Sequence, residues 1–133
     1  MRHLDQLLIT AITVAMEAGG EPYQGKLAVA YVICNRSDKQ NKSLTDVCLQ
    51  PYQFSCWNTE SPTRQNVDDI PDRTMAESLK ATFDAYYKLV PDPTNGAVYY
   101  LNPAALDKLP TWWHTDTDPD SQVVIGNHVF RSA

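Results

Sequence analysis

Met16-Glu17-Ala18-Gly19-Gly20-Glu21-Pro22-Tyr23 sets two carboxylates four residues apart across a double glycine, between one apolar segment and the next. From Leu4 to Ala18 the chain is apolar almost all round, the pattern of a buried helix, yet Gln6, Thr10, Thr13 and Glu17 recur at intervals of four, three and four. Those intervals follow one face of a 3.6-residue turn. A polar stripe ending in a carboxylate predicts a helix that turns Glu17 toward a polar space. Gly19-Gly20 stops that helix, and Glu21-Pro22 starts another, with proline suited to a first helical turn. Glu17 then stands at the negative end of the helix macrodipole, and burial disfavours its charged form, so both effects raise its pKa. Glu21 taken alone reads as an acid at an exposed helix start, where negative charge is favoured.

Beyond this junction, Tyr23 to Arg36 reads as a second helix with Leu27, Ala28, Val32 and Cys34 among its apolar positions. Gly25 within it would let a neighbour approach closely. Ser37 to Lys42 lacks an apolar period and reads as an exposed loop. Ser43 can cap a short turn running to Leu49. From Gln50 to Asn58, aromatic rings alternate with amide and hydroxyl groups, a pattern that suits sugars, which offer apolar faces and hydroxyl edges together. A buried aromatic corner is the other reading, and it fits Phe54. Thr59 to Asp72 reads as a surface loop. Thr74 to Lys88 is an amphipathic third helix, stopped by the turn Pro91-Asp92-Pro93-Thr94-Asn95-Gly96. Ala97 to Leu101 is β-prone, and Asn102-Pro103 ends it. Trp112-Trp113-His114 forms a second aromatic cluster. Val123-Val124-Ile125 and His128-Val129-Phe130 flank a Gly126-Asn127 hairpin turn. The expected class is α+β, a helical body with a small antiparallel sheet.

The composition narrows the function. The chain has 133 residues, 43% hydrophobic and 20% charged, which is ordinary for one globular domain spanning 1–133. A net charge of −5, without a stripe of Lys and Arg, argues against nucleic acid as partner. The run Leu7 to Met16 is too short to span a bilayer, so membrane insertion is not expected. Although Arg2 and this run imitate a signal peptide, Asp5, Gln6, Thr10 and Thr13 interrupt the pattern, and cleavage would remove Glu17. The run therefore reads as a core helix of a protein made without its own secretion signal. Of the three cysteines, Cys34 reads as a core thiol. Cys48 and Cys56 flank a short loop and could pair in an oxidising compartment. No CxxC or HxxxH pair suggests a metal, and no P-loop, GxSxG or HExxH is present, so no cofactor is expected.

The motifs Met16 to Lys26, Val29-Ala30, Asn35-Arg36, Gln53-Phe54-Ser55-Cys56-Trp57, Asp92 to Ala97, Tyr99 to Pro103 and Ile125 to His128 resemble, in order, those of the SleB-type cell wall hydrolases. These are the spore-cortex-lytic enzymes and their bacterial and phage relatives. Two positions depart from the family pattern. Gly19 stands where Arg is usual, which removes a cation from beside the acidic cluster, and Arg131 stands where an aromatic residue often follows Phe130. The resemblance implies a lysozyme-like catalytic domain that cuts peptidoglycan between N-acetylmuramic acid and N-acetylglucosamine. It implies Glu17 as the catalytic acid, with Tyr23, Gln53, Ser55, Trp57, Tyr99, Tyr100, Asn102, Trp112 and His128 lining the sugar cleft. The lack of a secretion signal and of an added wall-binding repeat also suits a monomeric phage endolysin, held in the host cytoplasm until release and then acting in the periplasm or cell wall; a bacterial enzyme exported by another route is the alternative.

Chemistry divides the remaining possibilities. A hydrolytic muramidase needs a second carboxylate, for which Glu21 is nearest and Asp68, Asp69, Asp116 and Asp118 are more distant candidates. A lytic transglycosylase needs none, because the muramyl C6 hydroxyl attacks the anomeric carbon and forms 1,6-anhydromuramic acid. A non-catalytic glycan-binding module is the third reading, and Glu17 argues against it, since binding gains nothing from a partly desolvated acid.

Overall fold

The computed structural model describes residues 2–50, 54, 57, 67–105 and 122–132. Its helices are α1 (Arg2–Ala18), α2 (Tyr23–Gln40), α3 (Leu44–Leu49) and α4 (Asp72–Tyr86). Its strands are β1 (Tyr99–Leu101), β2 (Gln122–Ile125) and β3 (His128–Arg131), which form one antiparallel sheet in the order β1-β3-β2. Short 3-10 turns cover Val67–Asp69 and Pro103–Ala105. This is the expected helical body with a small sheet.

The helix buried all round is α2. Every residue from Gly25 to Ile33 is buried, because α1, α3, α4 and the sheet all pack against it. By contrast α1, expected from its apolar content to be enclosed, leaves Leu4 57% and Leu8 48% exposed. Its buried side is Leu7, Ala11, Val14 and Ala18, the usual stripe of a helix lying on a core. Phe54, Phe130, Ile33, Val14, Val29, Val32 and Val47 are the large side chains at the centre.

Several boundaries differ from the sequence reading. Ser37 to Gln40 continues α2 rather than forming a loop, since an exposed last turn needs no apolar period. The helix ends where Asn41 enters the left-handed region at φ 53°, and Lys42 N–H bonds back to Ser37 O. Pro22 occupies the N-cap of α2 rather than its first turn. Ser43 caps α3 as expected, accepting Asp46 N–H at 3.1 Å. The hairpin also forms as expected, with Ile125 paired to His128 across Gly126-Asn127 and Gly126 at φ 58°. Gly25 does admit a close neighbour, which is Glu21: a Cβ at position 25 would lie 2.8 Å from the Glu21 Cβ. Of the two readings left open for Cys48, bridged or free, the structure shows a free, buried thiol; Cys56 lies outside the described residues.

Candidate active site

The polar stripe of α1 docks the rest of the chain. Gln6 accepts the Leu44 backbone N–H at 3.0 Å, at the start of α3. Thr10 Oγ1 lies 3.9 Å from Cys48 Sγ. Thr13 Oγ1 accepts the Trp57 indole N–H at 2.8 Å while its own hydroxyl donates to Ile9 O. Glu17 accepts the Tyr100 phenol at 2.7 Å, across from β1. The first two turns of this face therefore meet α3, the next meets Trp57, and the last meets the sheet.

Glu17 is half-buried, and its carboxyl pKa is raised, chiefly by burial. Two neighbours act in the opposite direction. The Tyr100 hydrogen bond and the positive charge of Arg36 both favour the ionised form. Arg36 is itself buried, with its guanidinium 5.4 Å from the Phe54 ring and 5.6 Å from the Tyr99 ring, and its Nε donates to Val98 O. The cation beside the acid thus comes from α2, which no local pattern in the sequence marks. Glu17 also lines a cleft of about 310 Å³ together with Met16, Gly19, Gly20, Ile70, Pro71 and Thr74. The end of the Thr59 to Asp72 segment is therefore a wall beside the acid.

Glu21 is not the exposed helix-start acid that sequence alone suggested. It is 9% exposed, and its Oε1 accepts the Asn127 backbone N–H at 2.9 Å. His128 Nδ1 lies 3.2 Å from the same oxygen, a charge-type contact without the alignment of a hydrogen bond. Burial lowers the His128 pKa, and the Glu21 charge partly opposes that shift. Lys26, buried in α2, donates to the Glu21 backbone carbonyl.

The structure thus brings Glu17, Glu21, Tyr100 and His128 together. The Tyr100 ring packs edge-on against His128 at 5.1 Å and, tilted, against Phe130 at 5.6 Å. Other anticipated cleft residues have partners within the scaffold. Tyr23 hydrogen-bonds Asp84 of α4, with Lys80 Nζ 4.6 Å above its ring. Trp57 is tied to Thr13, and Asn102 accepts Ala104 N–H at 3.1 Å, capping the turn that follows β1. Tyr99 is exposed on the strand face opposite Tyr100 and pairs with Arg131. Gln53, Ser55, Trp112, Asp116 and Asp118 lie outside the described residues. Asp68 and Asp69 are exposed. A larger, shallower hollow of about 580 Å³ lies beside Asn35 and Asp92, but the Asp92 carboxylate is taken up by Asn35, Gly96 and Thr94.

A family model described as Cell Wall Hydrolase matches residues 20–131, beginning three residues after Glu17. Similar curated proteins include the spore cortex-lytic enzyme of Halalkalibacterium halodurans, 28% identical over 95% of this chain and 34% of that protein. The spore cortex-lytic enzyme of Bacillus subtilis strain 168 is 27% identical over 95% and 37%. The chain therefore spans little more than a third of the length of these two relatives. Among solved structures, the catalytic domain of the germination-specific lytic transglycosylase SleB from Bacillus anthracis aligns with a TM-score of 0.70 at 29% identity, covering 95% of this chain and 93% of that one. The catalytic domain of the Bacillus cereus SleB protein aligns at 0.69 and 28%, covering 96% and 90%. The helical body with its three-stranded sheet matches the lysozyme-like fold of these catalytic domains.

Proposed function

Because the chain belongs to the cell wall hydrolase family, we propose that it degrades peptidoglycan, cutting between N-acetylmuramic acid and N-acetylglucosamine as a lytic transglycosylase with Glu17 as its proton donor. The observation that carries this reading is a carboxyl pushed upward by burial at the edge of a cleft, yet bonded to a phenol and facing a guanidinium. Burial favours the protonated state, ready to give its proton to the glycosidic oxygen as the C1–O bond breaks. The phenol and Arg36 then steady the carboxylate that results. That carboxylate takes the proton of the muramyl C6 hydroxyl as its oxygen bonds to C1, so Glu17 ends protonated and no water is consumed.

The position of Glu21 supports this choice over hydrolysis. A base for water must hold that water against the sugar, whereas one Glu21 oxygen is occupied by Asn127 N–H and the other lies against Gly126. Mass spectrometry of fragments from unreduced peptidoglycan is expected to show muramic acid ends lighter by one water. Predominantly reducing, borohydride-sensitive ends would refute transglycosylation and favour a two-carboxylate muramidase. The biological setting we propose is host lysis by a phage endolysin, since the family that the sequence motifs resemble has phage as well as bacterial members. Expression with and without a holin tests it, with lysis expected only when both are present.

A further inference from the structure

Glu21 takes no part in the proton transfers just derived, yet its carboxylate is buried against the β2–β3 turn. One oxygen accepts Asn127 N–H at 2.9 Å and lies 3.2 Å from His128 Nδ1. The other fills the space above Gly126, where a Cβ would come within 2.6 Å of it. These three residues are the β2–β3 turn and the first residue of β3. A side chain at the α1–α2 junction thus clamps a hairpin turn 106 residues away. From that turn β3 runs beside β1, pairing Phe130 with Tyr100, whose ring also packs on His128. Tyr100 then donates to Glu17, four residues before Glu21. The contacts close a ring: acid, double glycine, Glu21, hairpin turn, β3, β1, phenol, acid.

We propose that Glu21 is a positioning residue: by clamping the hairpin turn it fixes the sheet, and with it the Tyr100 phenol, against Glu17. The inference rests on the reading of Glu17 as the acid. The links between Glu21 and Tyr100 are paired backbone and packed rings rather than flexible side chains, so a shift of the turn is passed on to Tyr100. Among the described residues, the charged and titratable groups facing the two carboxylates are few. Tyr100 from β1 and Arg36 from α2 act on Glu17, while His128 from β3 faces the Glu21 carboxylate and Lys26 from α2 bonds its carbonyl.

A double-mutant cycle of Glu21→Ala and Tyr100→Phe tests the proposal, read as kcat, KM and the pH-rate profile on isolated glycan strands, with melting temperature reporting the fold. Displacing a positioned group is expected to lower kcat about 10–100-fold with little change in KM. Since the phenol favours ionised Glu17, its loss or misplacement raises the acid's pKa, so both single variants should carry the basic limb of the profile to higher pH. The double variant should be no worse than the poorer single one. Should Glu21→Ala not fold, Glu21→Asp, one methylene short of the turn, takes its place in the cycle. Glu21→Gln keeps the acceptor for Asn127 and should stay near wild type. Multiplicative losses, an unmoved basic limb, or a folded but inactive Glu21→Gln would overturn the proposal. An active Glu17→Gln control would refute the acid reading itself, and the proposal with it.

Discussion

Replacing Glu17 by glutamine separates activity from stability, and the structure gives the sign of both. The amide keeps the volume and an oxygen for the Tyr100 phenol, but has no proton to transfer. A positioned general acid contributes about 10²–10⁴-fold, or roughly 2.7–5.4 kcal/mol of barrier, and that is the expected loss in the rate of lysis. Stability should move the other way. The folded pKa of Glu17 is raised above its ordinary value of 4.5, so the folded state holds this proton more tightly than the unfolded chain does. Below pH 4.5 both states are protonated and the carboxyl brings no penalty. As pH rises toward the folded pKa the unfolded chain gains by ionising first, and the full penalty persists above it. Glu17→Gln removes that penalty, so the variant should melt at or above the wild-type temperature at neutral pH, with the two curves converging in acid. Turbidity loss of outer-membrane-permeabilised cells measures the rate, and thermal unfolding measures the rest. A folded variant lysing within about tenfold of wild type would refute the assignment of Glu17 as the acid.

Two further outcomes test the scaffold. Trp57→Phe leaves the Thr13 hydroxyl without its indole donor and should lower stability by about 0.5–1.5 kcal/mol beyond any packing loss, measured by denaturant midpoint. An unchanged midpoint would detach Trp57 from the α1 stripe. Burial pushes the Cys34 thiol up to about 12 and raises Cys48 as well, so in a Cys56→Ser variant neither should react with a disulfide reagent at neutral pH until the protein is denatured. Prompt labelling of the folded protein would contradict that burial.

What could be read beforehand was what repeats locally. The α1 stripe was legible because helical period alone brings Gln6, Thr10, Thr13 and Glu17 to one face, and the hairpin because Gly126-Asn127 fixes its own turn. Glu21 was misread because its partner lies 106 residues away, and nothing near position 21 announces it. Arg36 was missed as the cation near the acid because a charged residue near a helix end ordinarily points to water; here the Phe54 and Tyr99 rings and the bond to Val98 O hold it as an interior charge. Tyr23 and Asn102 carry the polar and aromatic groups that a sugar cleft would use, and identical groups equally serve to join helices and cap turns.

The partners of the α1 stripe grow more distant in sequence toward the acid: 38 residues from Gln6 to Leu44, 44 from Thr13 to Trp57, and 83 from Glu17 to Tyr100. Closing the longest of these loops carries the largest chain-entropy cost, which must be met before the contact can reward it. Its far end is β1, three residues long and on an edge of the sheet. Local opening starts at such elements, at free energies below that of global unfolding. Fraying of β1 leaves the helices, and nearly all of the secondary structure, in place while stripping the phenol from the carboxyl. If Glu17 is the acid as proposed, the catalytically competent protein is a sub-ensemble of the folded one, and it is lost first.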